Sequence, residues 1–249
     1  MKIGVCIPFY NEEKWISATL EALLAQKDAK FTVFLCDNNS TDASVEICRS
    51  FIQAHKLDWQ VVSETQKGTG AAADTAMRAA AAAGCDILAR TDADSLPHEN
   101  WIKSIRAEFA RKPQLSMISG LSIPIRSEVS FFEFWLLRFA TTVAMLFGLV
   151  RPSNYQRGMR GPYIMTSGNN LAIRATAYLL VGGFPRTRIE DVHEDRALVN
   201  SVRSQALKVK RFRKMRVAVS ARRVQHWGLM ASIRWYRSHY RPSQNVDIR

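Results

Sequence analysis

DILARTDADSLPHENW, Asp86 to Trp101, runs an apolar segment straight into two aspartates one residue apart, then into a turn and a helix-like stretch. DILART reads as a short buried strand and HENWIKSIRAEFA (98–110) as an amphipathic helix, so the aspartates sit where a strand hands over to a loop. The same pattern recurs on the N-terminal side. Lys2 to Pro8 is an apolar strand, followed by NEEKWISATLEALLAQ (11–26), where Ile16, Leu20, Leu23 and Leu24 recur at helical spacing. Asn11 is expected to cap that helix, with Glu12 and Glu13 in its first turn. FTVFLCDNNSTD and ASVEICRSFIQAH repeat the unit, and WQVVSE leads through QKGTG into an alanine-rich helix, Ala71 to Gly84. LSMISG, from Leu115, is a fifth strand. Strands alternating with helices imply an α/β domain with a mainly parallel sheet flanked by helices.

In such a sheet the ligand crevice lies beyond the carboxyl ends of the strands. Asn11, Glu12, Asp37, Asn38, Glu64, Lys67, Asp92 and Asp94 all fall there. PFYNEE contains no glycine, which argues against a dinucleotide fingerprint after the first strand. Asp92 and Asp94 alternate at strand period, so both share a side if the chain stays extended. Two carboxylates there can hold Mg²⁺ or Mn²⁺ and leave coordination positions open for substrate phosphates. A second acidic cluster, Glu190, Asp191, Glu194 and Asp195, precedes the helix-like RALVNSVR. It reads either as a source of a general base or as an acidic helix N-terminus stabilised by the dipole.

The 249 residues, 47% of them hydrophobic, suffice for one large domain. A single catalytic-type domain is expected, with the strand-helix alternation over 1–120 and a modified part with a basic C-terminal segment over 121–249. Cys6, Cys36, Cys48 and Cys85 lie in or beside apolar runs without metal-knuckle spacing and read as buried thiols. The first residues reach Pro8 and two glutamates too early for a secretory signal, so a cytoplasmic location is expected. The net charge of +13 is concentrated late: residues 203–249 hold thirteen Lys or Arg against one acid, Asp247. Such a field attracts phosphates, anionic lipid or nucleic acid without choosing among them. Nucleic acid is the weaker reading, because Trp227, Trp235, Tyr236 and Tyr240 serve equally as core or membrane-surface residues. FFEFWLLRFATTVAMLFGLV, Phe131 to Val150, approaches membrane-spanning length but carries Glu133 and Arg138. It fits a helix lying on a membrane or another protein, or an ordinary subdomain helix, better than a true span.

Taken in order, IPFYNEE, LCDNNSTD, KGTGAA, RTDADS, TSGNNLAIR, HEDRAL and RRVQHW resemble the family-2 glycosyltransferases, from Ile7 to Trp227. The resemblance implies the nucleotide-sugar-binding GT-A fold, a divalent metal (Mg²⁺ or Mn²⁺) and inverting transfer from a nucleoside-diphosphate sugar, a UDP-sugar being favoured. It implies that Pro8, Asn11 and Glu12 form the first nucleotide loop and that Asp37 contacts the base. Asp92 would lie by the ribose, with Asp94 holding the metal. Gly168, Asn169 and Asn170 would form the acceptor-side loop near the sugar. Glu194 and Asp195 match a Glu-Asp pair whose aspartate is the catalytic base. The late motif is only partly matched, by Gln225, His226 and Trp227, which makes polymer synthesis doubtful.

The segment after the third strand departs from the family pattern. Ala72, Ala73 and Asp74 stand where an arginine near the diphosphate and an asparagine are expected, so either a residue from elsewhere, Lys67 or a C-terminal arginine, neutralises the diphosphate, or activity is altered. Two rivals stay open: a catalytically weak or inactive nucleotide-sugar binder, and a nucleotidyltransferase, whose usual glycine-rich basic loop PFYNEE does not resemble. With Phe131–Val150 and the basic tail, the acceptor is expected to be lipid-linked or otherwise at an anionic membrane surface.

Overall fold

The computed structural model describes residues 1–155, 158–186 and 194–222. Glu190 and Asp191 of the second acidic cluster, Gln225, His226 and Trp227 of the late motif, and Trp235, Tyr236, Tyr240 and the rest of the basic tail lie outside the described residues.

The elements run β1 (Ile3–Phe9), α1 (Ile16–Leu24), β2 (Phe31–Asp37), α2 (Ser44–Ala54), β3 (Gln60–Ser63), α3 (Thr69–Ala82), β4 (Ile87–Arg90), β5 (Ser95–Pro97), α4 (Trp101–Arg111), β6 (Leu115–Pro124), α5 (Phe131–Val150), β7 (Leu171–Arg174), α6 (Ala175–Leu180), α7 (Glu194–Ser204) and β8 (Lys208–Val219). Among the described residues they build one sheet of order β3-β2-β1-β4-β7-β6-β8-β5. It is parallel through β3-β2-β1-β4. β7 then runs antiparallel to both β4 and β6, β8 parallel to β6, and β5 antiparallel to β8. The parallel half carries the β-α alternation read in the sequence, and the other half is mixed.

Every residue of β1 is buried, because helices cover both sheet faces. On one face Ile16, Leu20 and Leu23 of α1 pack with Ile102, Ile105 and Phe109 of α4 and with Cys48 of α2. Full burial of each such aliphatic or aromatic side chain is worth roughly 1.5–3 kcal/mol. On the other face α3 presents Ala72, Ala73, Ala76 and Ala80 beside Leu198, Val199 and Val202 of α7. Alanine serves here by its size: a Cβ at Gly4 in β1 would fall 2.8 Å from the Ala80 Cβ, so only small residues let helix and sheet approach so closely. All four cysteines are free and buried.

Three local readings are corrected. α1 begins at Ile16, not after Asn11, and has no side-chain cap. Asn11 instead adopts a left-handed conformation (φ 53°), and its carboxamide oxygen accepts the Thr41 N–H at 2.8 Å, tying the loop after β1 to the loop after β2. Asparagine is among the few side chains that tolerate this conformation. Glu12 and Glu13 therefore precede the helix rather than forming its first turn. The chain also turns at Ala93–Asp94 into the short strand β5, so Asp92 and Asp94 are not neighbours on one extended strand.

α5 stands apart. Ser130 and Glu133 form a reciprocal capping box at its start, and only Gly148, packed on Tyr163, is buried. Phe131, Phe132, Trp135, Phe139, Leu146, Phe147 and Val150 are exposed, Phe132 by 74%. It is the one helix among the described residues long and apolar enough to cross a membrane, at mean hydropathy 1.5.

Candidate active site

The loops that follow β1, β2, β3 and β4 meet at one edge of the sheet. Pro8 lies inside β1, in register with Cys36 of β2. At the end of β2 the Asp37 Oδ1 accepts the Ser40 N–H at 3.0 Å. Buried Asn38 organises the next loop: its Nδ2 donates to the carbonyls of Glu64 and Gln66, and its Oδ1 accepts the Gly68 N–H at 2.8 Å. Lys67, on that loop, is exposed, with its Nζ 5.6 Å from the centre of the Tyr10 ring.

Two ion clusters hold the aspartates. In the first, Arg90, the last residue of β4 and 1% exposed, reaches Asp92 at 3.2 Å and Glu194 at 3.3 Å. Its guanidinium lies over the Phe184 ring, 5.0 Å from the centroid. Gly168 packs so close to that guanidinium that a Cβ there would fall 2.8 Å from Cζ. The Gly168 N–H donates to Asp195 Oδ2 at 3.0 Å. Asp92, Glu194, Asp195 and Gly168 are thus gathered around one buried cation. Burial alone would lower the Arg90 pKa, and the charges of Asp92, Glu194 and Asp195 more than offset it, so the group stays charged. Loss of solvent raises Glu194 and Asp195 above the usual carboxylate range despite the attraction of Arg90.

The second cluster surrounds Arg222. Its guanidinium meets Glu12 with both terminal nitrogens, at 2.8 and 2.5 Å, and Asp94 at 3.1 Å. Burial lifts Glu12 to about 7 in spite of this pair. Burial would lower Arg222, but Glu12 and Asp94 hold it raised. Arg222 is thus a C-terminal arginine paired with the carboxylates Glu12 and Asp94.

The acceptor-side loop divides. Asn169 Oδ1 accepts from Ser122 Oγ at 2.8 Å. Asn170 is buried in the core, with Oδ1 accepting the Trp101 indole N–H at 2.9 Å and Nδ2 donating to the Met215 carbonyl. It is a peg between α4 and β8 rather than a surface facing a ligand. Glu194 and Asp195 occupy the first turn of α7, so the helix dipole acts on them as well.

Sequence reasoning passed over Arg90 and Arg186. Arg90 carried a signal: a charge in an otherwise apolar strand two residues before Asp92. Arg186 pairs with Glu64 at 2.5 Å and with buried Asp74 at 3.2 Å, while Asp74 also accepts from the Tyr178 hydroxyl at 2.8 Å and from Arg78. The acid at position 74 therefore recruits cations to the start of α3.

Among the described residues no three His, Cys, Asp or Glu side chains form a cage. Magnesium at phosphate sites, however, takes one or two carboxylates and draws its other ligands from phosphate and water. Asp92 and Asp94, both half-buried, are the carboxylates here whose chemistry suits that role, each paired in this structure with an arginine, Arg90 and Arg222.

The profile of the family described as Glycosyl transferase family 2 matches residues 4–161. Glycosyltransferase AglE of Haloferax volcanii is 34% identical over 103 residues, 41% of this chain and 33% of that protein. Putative glycosyltransferase EpsE of Bacillus subtilis is 24% identical over 192 residues, 75% of this chain and 61% of that protein. The matches to AglE and to glycosyltransferase GlyG of Streptococcus pneumoniae thus span about a third of those relatives' lengths, 33% and 36%. In fold, the chain is similar to the mannosyltransferase PcManGT of Pyrobaculum calidifontis, solved with GDP-Man and Mn²⁺ (TM-score 0.64, 20% identity, 96% of this chain and 65% of that one). It is also similar to S. aureus TarS solved with UDP-GlcNAc (TM-score 0.61, 17% identity, 85% of this chain and 56% of that one). With the profile covering more than half the chain and the sheet matching these enzymes, the chain belongs to glycosyl transferase family 2 and has the GT-A fold.

Proposed function

We propose that this glycosyltransferase moves a sugar from a nucleoside-diphosphate sugar, a UDP-sugar being favoured, to an acceptor hydroxyl with inversion. The observation that carries this reading is the gathering of Asp92, on the donor side, and of Glu194 and Asp195, at the start of α7, around Arg90. Pro8, Asn11, Glu12 and Asp37 line the donor edge and take the nucleotide, Asp37 toward the base. Asp94, with Asp92, would hold Mg²⁺ or Mn²⁺, which when bound supplies fixed positive charge to a departing diphosphate. Among the described residues, Arg222 and Lys67 would take that role, in place of the arginine missing at position 73.

Asp195 is the general base. Its raised pKa suits it to take the proton of the acceptor hydroxyl. As the acceptor oxygen bonds to the anomeric carbon, the bond from that carbon to the diphosphate oxygen breaks on the opposite face. One displacement follows, with no covalent enzyme intermediate. Glu194, tied to Arg90, orients the turn from which Asp195 projects. Gly168 and Asn169 form the adjoining loop on the acceptor side.

The exposed apolar surface of α5 supports an acceptor held at a membrane surface. Its exposed aromatic residues are flanked by Arg126 and Arg138, whose guanidinium groups lie over Phe131, Phe134 and Trp135. Such a surface suits peripheral binding on an anionic leaflet, where each basic residue adds about 1 kcal/mol, and a lipid-linked acceptor.

The test is a panel of nucleoside-diphosphate sugars assayed for slow transfer to water with and without Mn²⁺. Metal-dependent release of the diphosphate from one donor, lost in Asp94→Ala with the fold intact, is the expected result. Turnover undiminished in excess chelator would sink the metal role, and donor binding without any turnover would leave a binding protein. Vesicle flotation tests the membrane reading: binding should rise with anionic lipid and fall with salt, and none at low salt would defeat it.

A further inference from the structure

We propose that Arg90 is a positioning residue that couples the two halves of the active site, holding the donor-side carboxylate Asp92 and the base-bearing turn Glu194–Asp195 in one fixed relation. The argument rests on the assignment of Asp195 as base. The guanidinium, with its side chain 2% exposed, lies over the Phe184 ring and packs against Gly168, where a Cβ would fall 2.8 Å from Cζ. It bonds to Asp92, two residues along the chain, and to Glu194, 104 residues away. Gly168, pressed onto the same guanidinium, gives its N–H to Asp195. Any shift of Arg90 therefore moves Asp92, Glu194 and the hydrogen bond that aims Asp195. Among the described residues Nη1 is buried without a hydrogen-bond partner, so the guanidinium is not saturated by these two acids. A planar fork bridges two carboxylates in set directions, which a lysine ammonium cannot reproduce although it keeps the charge.

The experiment compares Arg90→Lys, Glu194→Gln and their combination with the wild type. It uses whichever of UDP-GlcNAc, UDP-glucose and GDP-mannose the wild type hydrolyses fastest with Mn²⁺. Hydrogen exchange of the 166–170 backbone and of the first turn of α7 is followed in parallel. Arg90→Lys should melt near the wild type and keep donor KM within about 3-fold, yet lose about 10- to 100-fold in kcat, as small misplacements of catalytic groups do. Because both single changes break the same bridge, their losses should not multiply in the double variant. Exchange at Gly168 and at the first turn of α7 should quicken while β1 stays protected. Wild-type kcat with unaltered exchange in Arg90→Lys overturns the proposal, as do losses that multiply or a KM increase with kcat preserved. Asp195→Asn separates the two claims. If it keeps wild-type turnover, the base assignment falls and this proposal with it. If it is dead while Arg90→Lys behaves as wild type, only this proposal falls.

Discussion

Asp92 and Asp94 stand two residues apart, yet their cations come from opposite kinds of place. Asp92 faces Arg90, an interior strand residue sealed by Phe184 and Gly168. Asp94 faces Arg222, 18% exposed in its side chain, in the last described stretch after β8. A guanidinium inside a sheet has one geometry, because neighbours fill every alternative. One after the final strand exchanges with water and ions at lower cost. The difference separates a frame, which sets angles for chemistry, from a charge at the donor edge that answers to whatever enters.

Removing each charge in turn breaks this comparison most strongly. Arg90→Gln leaves Glu194 buried without its counter-ion and should cost about 3–5 kcal/mol, whereas Arg222→Gln should cost about 1 kcal/mol, since Glu12 escapes by protonating. Denaturant melts of the two variants check this, and equal losses would erase the distinction. Asp195→Asn probes what the frame is for: turnover should fall by about 10² to 10⁴ with donor affinity kept, measured as kcat against donor binding. A defect confined to affinity would reassign Asp195 to binding.

Gly168→Ala drives a methyl into the Arg90 guanidinium and should destabilise by about 1–3 kcal/mol, with a loss of turnover beyond what the melting shift explains. The smallest effect is expected at the Arg222 cluster. Glu12 is lifted from 4.5 to about 7, so its protonated form is favoured by folding. The stability it contributes is fully present below pH 4.5 and disappears as pH rises through 7. Melting of the ligand-free protein should drop by a few degrees between pH 5 and 8, and Glu12→Gln should flatten that slope. An unchanged slope would mean that the Arg222 pair keeps Glu12 charged throughout.

α5 offers a second contrast. Its apolar composition was readable from Phe131 onward, but whether it is a core helix or a surface one was not. Hydrophobic residues all round a helix are compatible with either, and only the tertiary structure shows that, among the described residues, Gly148 alone is fully buried while most of the large apolar side chains stay exposed.

What the sequence determined by itself was local. The alternation of buried strands and helices follows from side-chain period over a few residues, and the places of Asp37, Asp92 and Asp94 at strand ends follow from that alternation. The first turn of α7 was legible as an acidic helix start. Tertiary structure decided which cation meets which carboxylate. Arg90 finds Glu194 across 104 residues and Arg222 finds Glu12 across 210. No local pattern records such separations, because pairing depends on which strands become neighbours in the sheet. The same holds for Asn170, whose motif suggested a ligand but whose amide is consumed by Trp101 and Met215. It holds too for Asn11, whose left-handed backbone ties two loops instead of starting a helix. Where the side chain is buried, as with Arg90 and Asn170, it took the partners that burial made cheapest, and burial is a property of the assembled fold.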